Sequence, residues 1–237
     1  DALATGHYAR VDYDEATGRW RLLRGLDRRK DQTYFLFQLT QFQLAHLLLP
    51  VGGYEKSGIR ALAAGHGLEN AQKPDSQDIC FVPDGDYAAF LERQGMALRP
   101  GNFVDQTGRV LGPHRGMERY TTGQRKGLGV SAGAPVYVLR KDLASGDVVL
   151  GPDSALYTHT LTAERMNWIS IAELTEPMAV TAKTRYSQTE AEAEVTPLPE
   201  GRMRVVFRQP QRAITSGQAV VLYDGDTVLG GGVIEDR

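Results

Sequence analysis

The sequence is poor in the residues that build metal sites and disulfides. It has one cysteine, Cys80, and five histidines in 237 residues. A single cysteine excludes a disulfide within the chain and fits a reducing compartment, for which we expect the cytoplasm. The histidines are scattered without the spacing that metal ligands need, so we expect no bound metal cluster.

Long hydrophobic runs are missing as well. The longest runs from Leu44 to Leu49 and is far too short to cross a bilayer, so we expect no membrane partner. The net charge of -2 shows no excess of one sign that would by itself indicate a nucleic acid partner. The hydrophobic content of 41% is ordinary for a globular protein with a core.

The positive charges are unevenly distributed. Residues 19–30 carry six cations against Asp27 alone, and residues 115–126 carry four against Glu118. Such patches can steer a polyanion even when the total charge is near zero. The alternative is a pair of solvated basic faces balanced by acidic residues elsewhere.

The first part of the chain predicts a hairpin followed by two helices. Residues 8–13 alternate, residues 14–18 form a turn and residues 19–24 return, which is typical of paired strands. Thr40 and Gln43 form a capping box for a helix that we expect to reach about Leu48. A second helix is predicted over residues 57–66.

The remainder is predicted to be mainly β. Asp84 or Asp86 caps a short helix, and glycine-rich turns then separate short strands up to about residue 152. From about Tyr157 onward, five or six short antiparallel strands favour a closed barrel, because closure removes exposed edges. We expect domains at residues 1–75, 76–152 and 153–237, and a fold class of α/β plus β.

Cys80 lies in a short segment, residues 73–81, where an apolar strand follows a lysine and small polar residues. A cysteine there is either a buried small hydrophobe or an exposed nucleophile. The residues around it decide between these, because the pattern Lys-x-Asp-Ser-x-x-Ile-Cys-Phe resembles the second-cysteine motif of the tRNA-specific 2-thiouridylases. Further blocks resemble that family in the same order, at residues 4–8, 23–27, 30–35, 120–129, 183–186 and 229–232.

The resemblance implies an enzyme that replaces the C2 oxygen of the wobble uridine in the tRNA anticodon loop with sulfur. It implies adenylation of that oxygen by Mg-ATP, and a persulfide on Cys80 that receives its sulfur from a donor protein. An upstream cysteine then forms a disulfide with Cys80. The family's Ser-Gly-Gly-x-Asp-Ser loop and first cysteine are absent. We therefore expect a C-terminal portion that is inactive alone: the tail of a Rossmann-like ATP-pyrophosphatase domain, a central domain and a barrel.

The resemblance also implies contacts with ATP and tRNA in the blocks at residues 4–8 and 30–35. Gly6 contacts ATP and His7 lies near the tRNA, whereas the alternative is a turn glycine and a packed histidine. Lys30, Asp31 and Gln32 are implied to contact tRNA. Lys30 can reach phosphate, while Asp31 and Gln32 can bond bases or orient Lys30. The alternative is an ordinary charged turn.

In the barrel, the resemblance implies tRNA contacts at Arg185, Tyr186 and Gln218. Alternation along a strand places Lys183 and Arg185 on one face and Tyr186 on the other. Tyr186 can stack on an unpaired base or, alternatively, fill the barrel core.

Residues 122–127 have glycines and two cations that resemble a phosphate nest, although the spacing of a P-loop is absent. The alternative is a loop that braces the small domain.

Two other functions remain open. The chain can be an RNA-binding barrel module without catalysis, or part of another ATP-pyrophosphatase-family enzyme. A Cys80→Ser change separates the first alternative from sulfur transfer.

Overall fold

The computed structural model describes residues 1–72, 82, 85–131 and 133–235. Within these residues the chain forms four α-helices and fourteen strands. The helices are α1 (Thr33–Leu36), α2 (Gln41–Ala45), α3 (Lys56–Gly65) and α4 (Tyr87–Arg93). The strands are β1 (Leu3–Ala4), β2 (Ala9–Asp14), β3 (Arg19–Arg24), β4 (Leu47–Leu48), β5 (Gly101–Val104), β6 (Val110–His114), β7 (Tyr137–Lys141), β8 (Val148–Gly151), β9 (Tyr157–Trp168), β10 (Met178–Lys183), β11 (Ala191–Pro197), β12 (Met203–Arg212), β13 (Ala219–Asp224) and β14 (Thr227–Ile234).

The chain divides into two compact units. The first comprises residues 1–73, 159–210 and 215–237, and the second comprises residues 74–158 and 211–214. The N-terminal segment and most of the C-terminal strands therefore share one unit. In the part of the chain that the structure describes, no helix is long and apolar enough to traverse a lipid bilayer.

The predicted hairpin is confirmed as β2 and β3, which pair in register from Ala9 with Arg24 to Asp14 with Arg19. The Asp14 carboxylate accepts bonds from the Ala16 N–H and the Thr17 hydroxyl, and Gly18 has a φ of 66°. The turn is thus fixed locally, by a short acidic side chain and a glycine in the left-handed region.

The predicted capping box is confirmed: Thr40 and Gln43 bond each other's backbone N–H groups at the start of α2. The expected length of this helix is wrong, because α2 ends at Ala45 and not near Leu48. Leu47 and Leu48 instead form β4, which pairs in parallel with Leu3 and Ala4 of β1. Pairing with a distant strand thus overrides the local helical pattern.

The second predicted helix is α3, which begins and ends one residue earlier than expected. Gly67 follows it with a φ of 69°, as suits a residue that closes a helix in the left-handed region.

The predicted barrel is confirmed. Its strands lie in the order β13-β10-β11-β12-β9-β14, and β13 also pairs with β14, which closes the six strands. β14 pairs further with β3, so the hairpin extends the same sheet. Val195, Val205 and Phe207 are almost fully buried. Asp224 pairs with Thr227, so the tight turn between β13 and β14 is Gly225–Asp226.

Gly231 on β14 shows why that strand carries glycines. A Cβ there would lie 2.6 Å from Cδ2 of Phe37 and 2.7 Å from the Val220 carbonyl oxygen. Both distances are below any real Cβ contact, so only glycine lets Phe37 pack against this strand.

The second unit contains a four-stranded sheet in the order β6-β5-β8-β7, in which β5 and β8 are parallel and the other pairs antiparallel. Its core includes Phe103, Val138, Val148 and Leu150, all nearly inaccessible to solvent. The Asp86 carboxylate accepts a 2.9 Å hydrogen bond from the Ala89 N–H at the start of α4. Of the two predicted capping residues, Asp86 is therefore the one that caps this helix.

Candidate functional site

Cys80, the predicted catalytic residue, lies outside the described residues, as does the whole segment from residue 73 to 81. Its role therefore stays a prediction from the sequence.

Gly6 and His7 lie two and three residues after the end of β1. Gly6 is exposed, and a Cβ placed on it would meet nothing within 4 Å. Its φ is not in the left-handed region, where the glycines of the turns lie. The described residues thus give no packing reason for a glycine here, which leaves room for a ligand to approach the backbone. His7 is half-buried, and its Nδ1 lies 2.9 Å from the Thr5 hydroxyl.

Asp31 and Gln32 hold the loop that follows the hairpin. The buried Asp31 carboxylate accepts the Gly25 N–H at 3.0 Å and the Thr33 hydroxyl at 2.6 Å. Gln32 clamps the backbone of Tyr8, because its Oε1 accepts the Tyr8 N–H at 2.9 Å and its own N–H donates to the Tyr8 carbonyl at 3.0 Å. Of the two sequence-level interpretations, the geometry favours positioning over direct contact with a base.

Lys30 lines a hollow of about 600 Å³ together with Arg29, Lys56 and Arg60. The acidic residue in the same wall is Asp27, which is buried and accepts the Lys56 N–H at 3.2 Å and the Arg29 N–H at 3.1 Å. Burial raises the pKa of the Asp27 carboxyl, but these N–H bonds outweigh that effect and hold its pKa below the ordinary value. Among the described residues, the lining therefore has more cationic than anionic side chains.

Lys56 and Arg60 were not among the site residues predicted from the sequence. They are four residues apart at the start of α3, so they share one face of the helix. This spacing is the signal that could have found them.

The predicted basic stretch is largely engaged inside its own unit. Arg19 donates to the carbonyls of Trp168 and Ile169 at 3.2 and 2.8 Å, and Arg21 pairs with Asp12 at 2.7 Å. Arg19 and Arg21 are therefore not wholly available to a polyanion, whereas the Arg29 side chain of the same stretch is 85% exposed.

Arg24 is the centre of a buried polar cluster between the hairpin and the barrel. It forms an ion pair with Glu190, lies 4.0 Å from Asp31 and stacks 3.8 Å from the Tyr223 ring centroid. Burial raises the pKa of the Tyr223 phenol, so it stays a neutral hydrogen-bonding group. A buried charge needs such partners, and the cluster thereby fixes the predicted loop beside the barrel.

Arg185 and Tyr186 do not lie on a strand. β10 ends at Lys183, its last pair being with Val221, and the next residues form a turn. The predicted alternation of side chains is therefore wrong at Arg185 and Tyr186. The barrel-core alternative for Tyr186 is also excluded, because the residue is exposed and its ring packs 4.4 Å from that of Phe35.

Arg185 and Gln218 meet at Thr215. The Arg185 guanidinium donates to the Thr215 hydroxyl at 3.0 Å, and the Gln218 N–H donates to the Thr215 carbonyl at 3.3 Å. The buried Oε1 of Gln218 has no hydrogen-bond partner among the described residues. The structure thus brings together Arg185 and Gln218, two predicted tRNA contacts that lie far apart in the sequence.

The loop at residues 122–127 belongs to the second unit and is internally bonded. The Gly123 N–H donates to the Val138 carbonyl at 2.7 Å, and the Gln124 N–H donates to the Thr121 carbonyl at 2.9 Å. Two of the amide groups that a phosphate nest requires are therefore occupied. The loop is also held by Arg212 of the same unit, which reaches the Gly123 carbonyl at 3.4 Å and Asp153 at 2.8 Å.

Comparison with known protein families covers nearly the whole chain. Residues 1–84 match the tRNA methyl transferase HUP domain, residues 88–152 the tRNA methyl transferase PRC-barrel domain and residues 158–234 the aminomethyltransferase beta-barrel domain.

Curated relatives are similar over the same extent. The chain is 52% identical over 236 residues to the tRNA-specific 2-thiouridylase MnmA of Acetivibrio thermocellus and 54% over 235 residues to that of Heliobacterium modesticaldum. It is 48% identical over 236 residues to that of Nostoc punctiforme. The matches cover 99%, 98% and 99% of this chain but 66%, 61% and 67% of these relatives. The chain thus spans about two thirds of their length.

Proposed function

This chain belongs to the tRNA-specific 2-thiouridylase family, and we propose on that premise that the complete protein replaces the C2 oxygen of the wobble uridine of tRNA with sulfur. The observation that supports this best is identity of about half over 99% of the chain to a relative of that name. The match includes both barrel regions and the segment that carries Cys80, so the proposal does not depend on the nucleotide domain alone.

Cys80 is proposed to carry the transferred sulfur as a persulfide, which a donor protein loads. The sulfur attacks the activated C2 of the uridine, and the former C2 oxygen departs with AMP. A cysteine elsewhere in the complete protein pairs with Cys80 in a disulfide, which supplies the two electrons that reduce the sulfane sulfur. A persulfide requires a thiolate with access to its donor, which suits an exposed segment.

ATP is proposed to supply the activating adenylyl group. The open space above Gly6 at the end of β1 fits the approach of a nucleotide to the backbone. The described residues hold no group of three or more His, Cys, Asp or Glu side chains that could bind a metal ion. Mg²⁺ is proposed to arrive with ATP.

The tRNA is proposed to contact His7, Lys30, Arg185, Tyr186 and Gln218, with Asp31 and Gln32 positioning the loop that carries Lys30. The cations of the hollow beside Lys30 can neutralise backbone phosphates. The exposed Tyr186 can contact an unpaired base. The compartment proposed for this reaction is the cytoplasm.

The test compares the complete protein with its Cys80→Ser and Ser154→Ala variants, Ser154 being an exposed serine outside the predicted site. Each is incubated with unmodified tRNA, Mg-ATP and a persulfide donor, and the digested RNA is examined for 2-thiouridine by mass spectrometry. We expect product from the parent protein and from Ser154→Ala, but none from Cys80→Ser. Equal product from all three would remove Cys80 from the mechanism. Bound tRNA without product from any of them would favour the binding module without catalysis.

A further inference from the structure

An exposed pair of aromatic rings stands at the edge of the first unit. Phe35 on α1 is 55% exposed and Tyr186 in the turn after β10 is 39% exposed. Their ring centroids lie 4.4 Å apart with an interplanar angle of 35°, so each ring covers one face of the other. Large apolar side chains exposed together in this way are typical of binding surfaces.

The rings rest on a fixed base. Tyr34 is buried, its hydroxyl donates to the Ala219 carbonyl at 2.9 Å, and its ring meets that of Phe35 edge-on at 5.8 Å. Burial raises the pKa of Tyr34 to about 12, so it remains a neutral donor at physiological pH. Thr33, also buried, is bonded to Asp31. These contacts hold α1, and thus Phe35, in one orientation before any ligand binds.

Phe35 is the more accessible of the two rings. Tyr186 is contacted by Phe35 and Tyr34, and the ammonium of Lys183 lies 5.7 Å from its centroid. The aromatic contacts of Phe35 within the described part of the chain are with Tyr34 and Tyr186. A flat ligand therefore finds a larger free surface on Phe35, while Tyr186 supports that ring from behind.

The chemistry around the rings indicates which flat ligand fits. The Lys183 ammonium lies 5.7 Å from the centroid of the Tyr186 ring, and Arg185 directly precedes Tyr186 in the same turn. An aromatic surface flanked by cations suits a nucleobase joined to phosphates, since bases stack on rings and phosphates pair with cations. An apolar peptide would gain nothing from those charges.

We propose that Phe35 is the stacking surface for one unpaired base of the tRNA, with Tyr186 as the supporting ring. The inference rests on the proposed function for the identity of the RNA. It adds to that function a base-binding residue, and it assigns Tyr186 the part of a support in place of the primary stacking surface.

The test is a double-mutant cycle between the ring and the base. The complete protein and its Phe35→Leu variant are titrated with tRNA transcripts in which one loop nucleotide at a time is abasic, without ATP or donor protein. At one unpaired position, we expect loss of the base to weaken binding to the parent protein about fivefold or more. The same loss should change binding to Phe35→Leu by less than about twofold, because the ring that it stacks on is already absent.

Phe42→Leu is the matched control. Phe42 is 73% exposed and its ring lies 4.4 Å from that of His46 at 35°, the same geometry in a different place. It should behave like the parent protein, and Phe35→Trp should retain the coupling. The proposal is overturned if no loop position couples to Phe35, or if Phe42→Leu shows the same coupling.

A third result would also overturn the proposal. If Phe35→Leu binds RNA as tightly as the parent protein but receives sulfur from the donor less efficiently, the two rings contact the donor protein and not the RNA. Coupling without any 2-thiouridine would leave this inference standing and refute the proposed function. Formation of 2-thiouridine without coupling between Phe35 and any loop base would refute this inference alone.

Discussion

Asp31 offers a direct test of positioning against RNA contact. Asp31→Ala removes the acceptor for the Gly25 N–H and the Thr33 hydroxyl in a buried site, and leaves Arg24 with one fewer neighbouring carboxylate. A buried polar group without a partner costs about 1–3 kcal/mol. Thr33 has the Tyr223 hydroxyl 3.4 Å away as a substitute, and Arg24 keeps Glu190. We therefore expect the free energy of unfolding to fall by about 2–4 kcal/mol.

The assay is urea unfolding followed by tryptophan fluorescence, because both tryptophans, Trp20 and Trp168, belong to the first unit. Asp14→Ala is the control: it also removes an acceptor for one N–H and one hydroxyl, but at an exposed turn where water replaces it. Its effect should be much smaller. An Asp31→Ala protein with an unchanged midpoint and a loss of tRNA affinity would refute the reasoning and make Asp31 an RNA contact.

Three further predictions concern Gly231, Tyr34 and the 237-residue chain by itself. Gly231→Ala should lower stability by about 1–3 kcal/mol, because the new methyl group meets Phe37 and a backbone oxygen; Gly58→Ala in α3, where nothing lies within 4 Å, should keep or slightly raise the urea midpoint. The pKa of Tyr34 is raised from 10.0 to about 12, so the stability from its neutral form should be complete below pH 10.0 and lost as the pH rises through about 12. Unfolding midpoints measured across that range should fall less steeply for Tyr34→Phe. The 237-residue chain alone should form no 2-thiouridine in the mass-spectrometric assay, because it has one cysteine and no Ser-Gly-Gly-x-Asp-Ser loop.

The features that the sequence predicted well are those set by neighbouring residues. The β2–β3 turn depends on Asp14 and Gly18, and the start of α2 depends on Thr40 and Gln43, all within a few positions of each other. The closed barrel could also be predicted from the sequence, because closure pairs the backbone groups that edge strands would otherwise leave exposed.

The errors arise where a distant partner decides. α2 stops early because Leu47 and Leu48 pair with β1, and β10 stops at Lys183 because its pairing with β13 ends there. No local pattern in the sequence contains either pairing.

The same limit applies to the site. The motif at Lys30, Asp31 and Gln32 predicts a functional loop, but only the fold shows that Asp31 and Gln32 face Gly25 and Tyr8 while Lys30 lines an open hollow. Phe35 was part of a recognised block without a role of its own. Its contact with Tyr186, far along the chain, is what supports the stacking role proposed for it.

The central claim is that the sulfur in the product passes through Cys80. The most direct measurement loads the complete protein with isotopically labelled persulfide sulfur, removes the donor, and then adds unmodified tRNA and Mg-ATP for a single turnover. We expect the tRNA to contain labelled 2-thiouridine in an amount equal to the persulfide lost from Cys80. We also expect Cys80 to be found in a disulfide after the turnover. Labelled sulfur that remains on Cys80 while tRNA is thiolated, or product that carries no label, would contradict it.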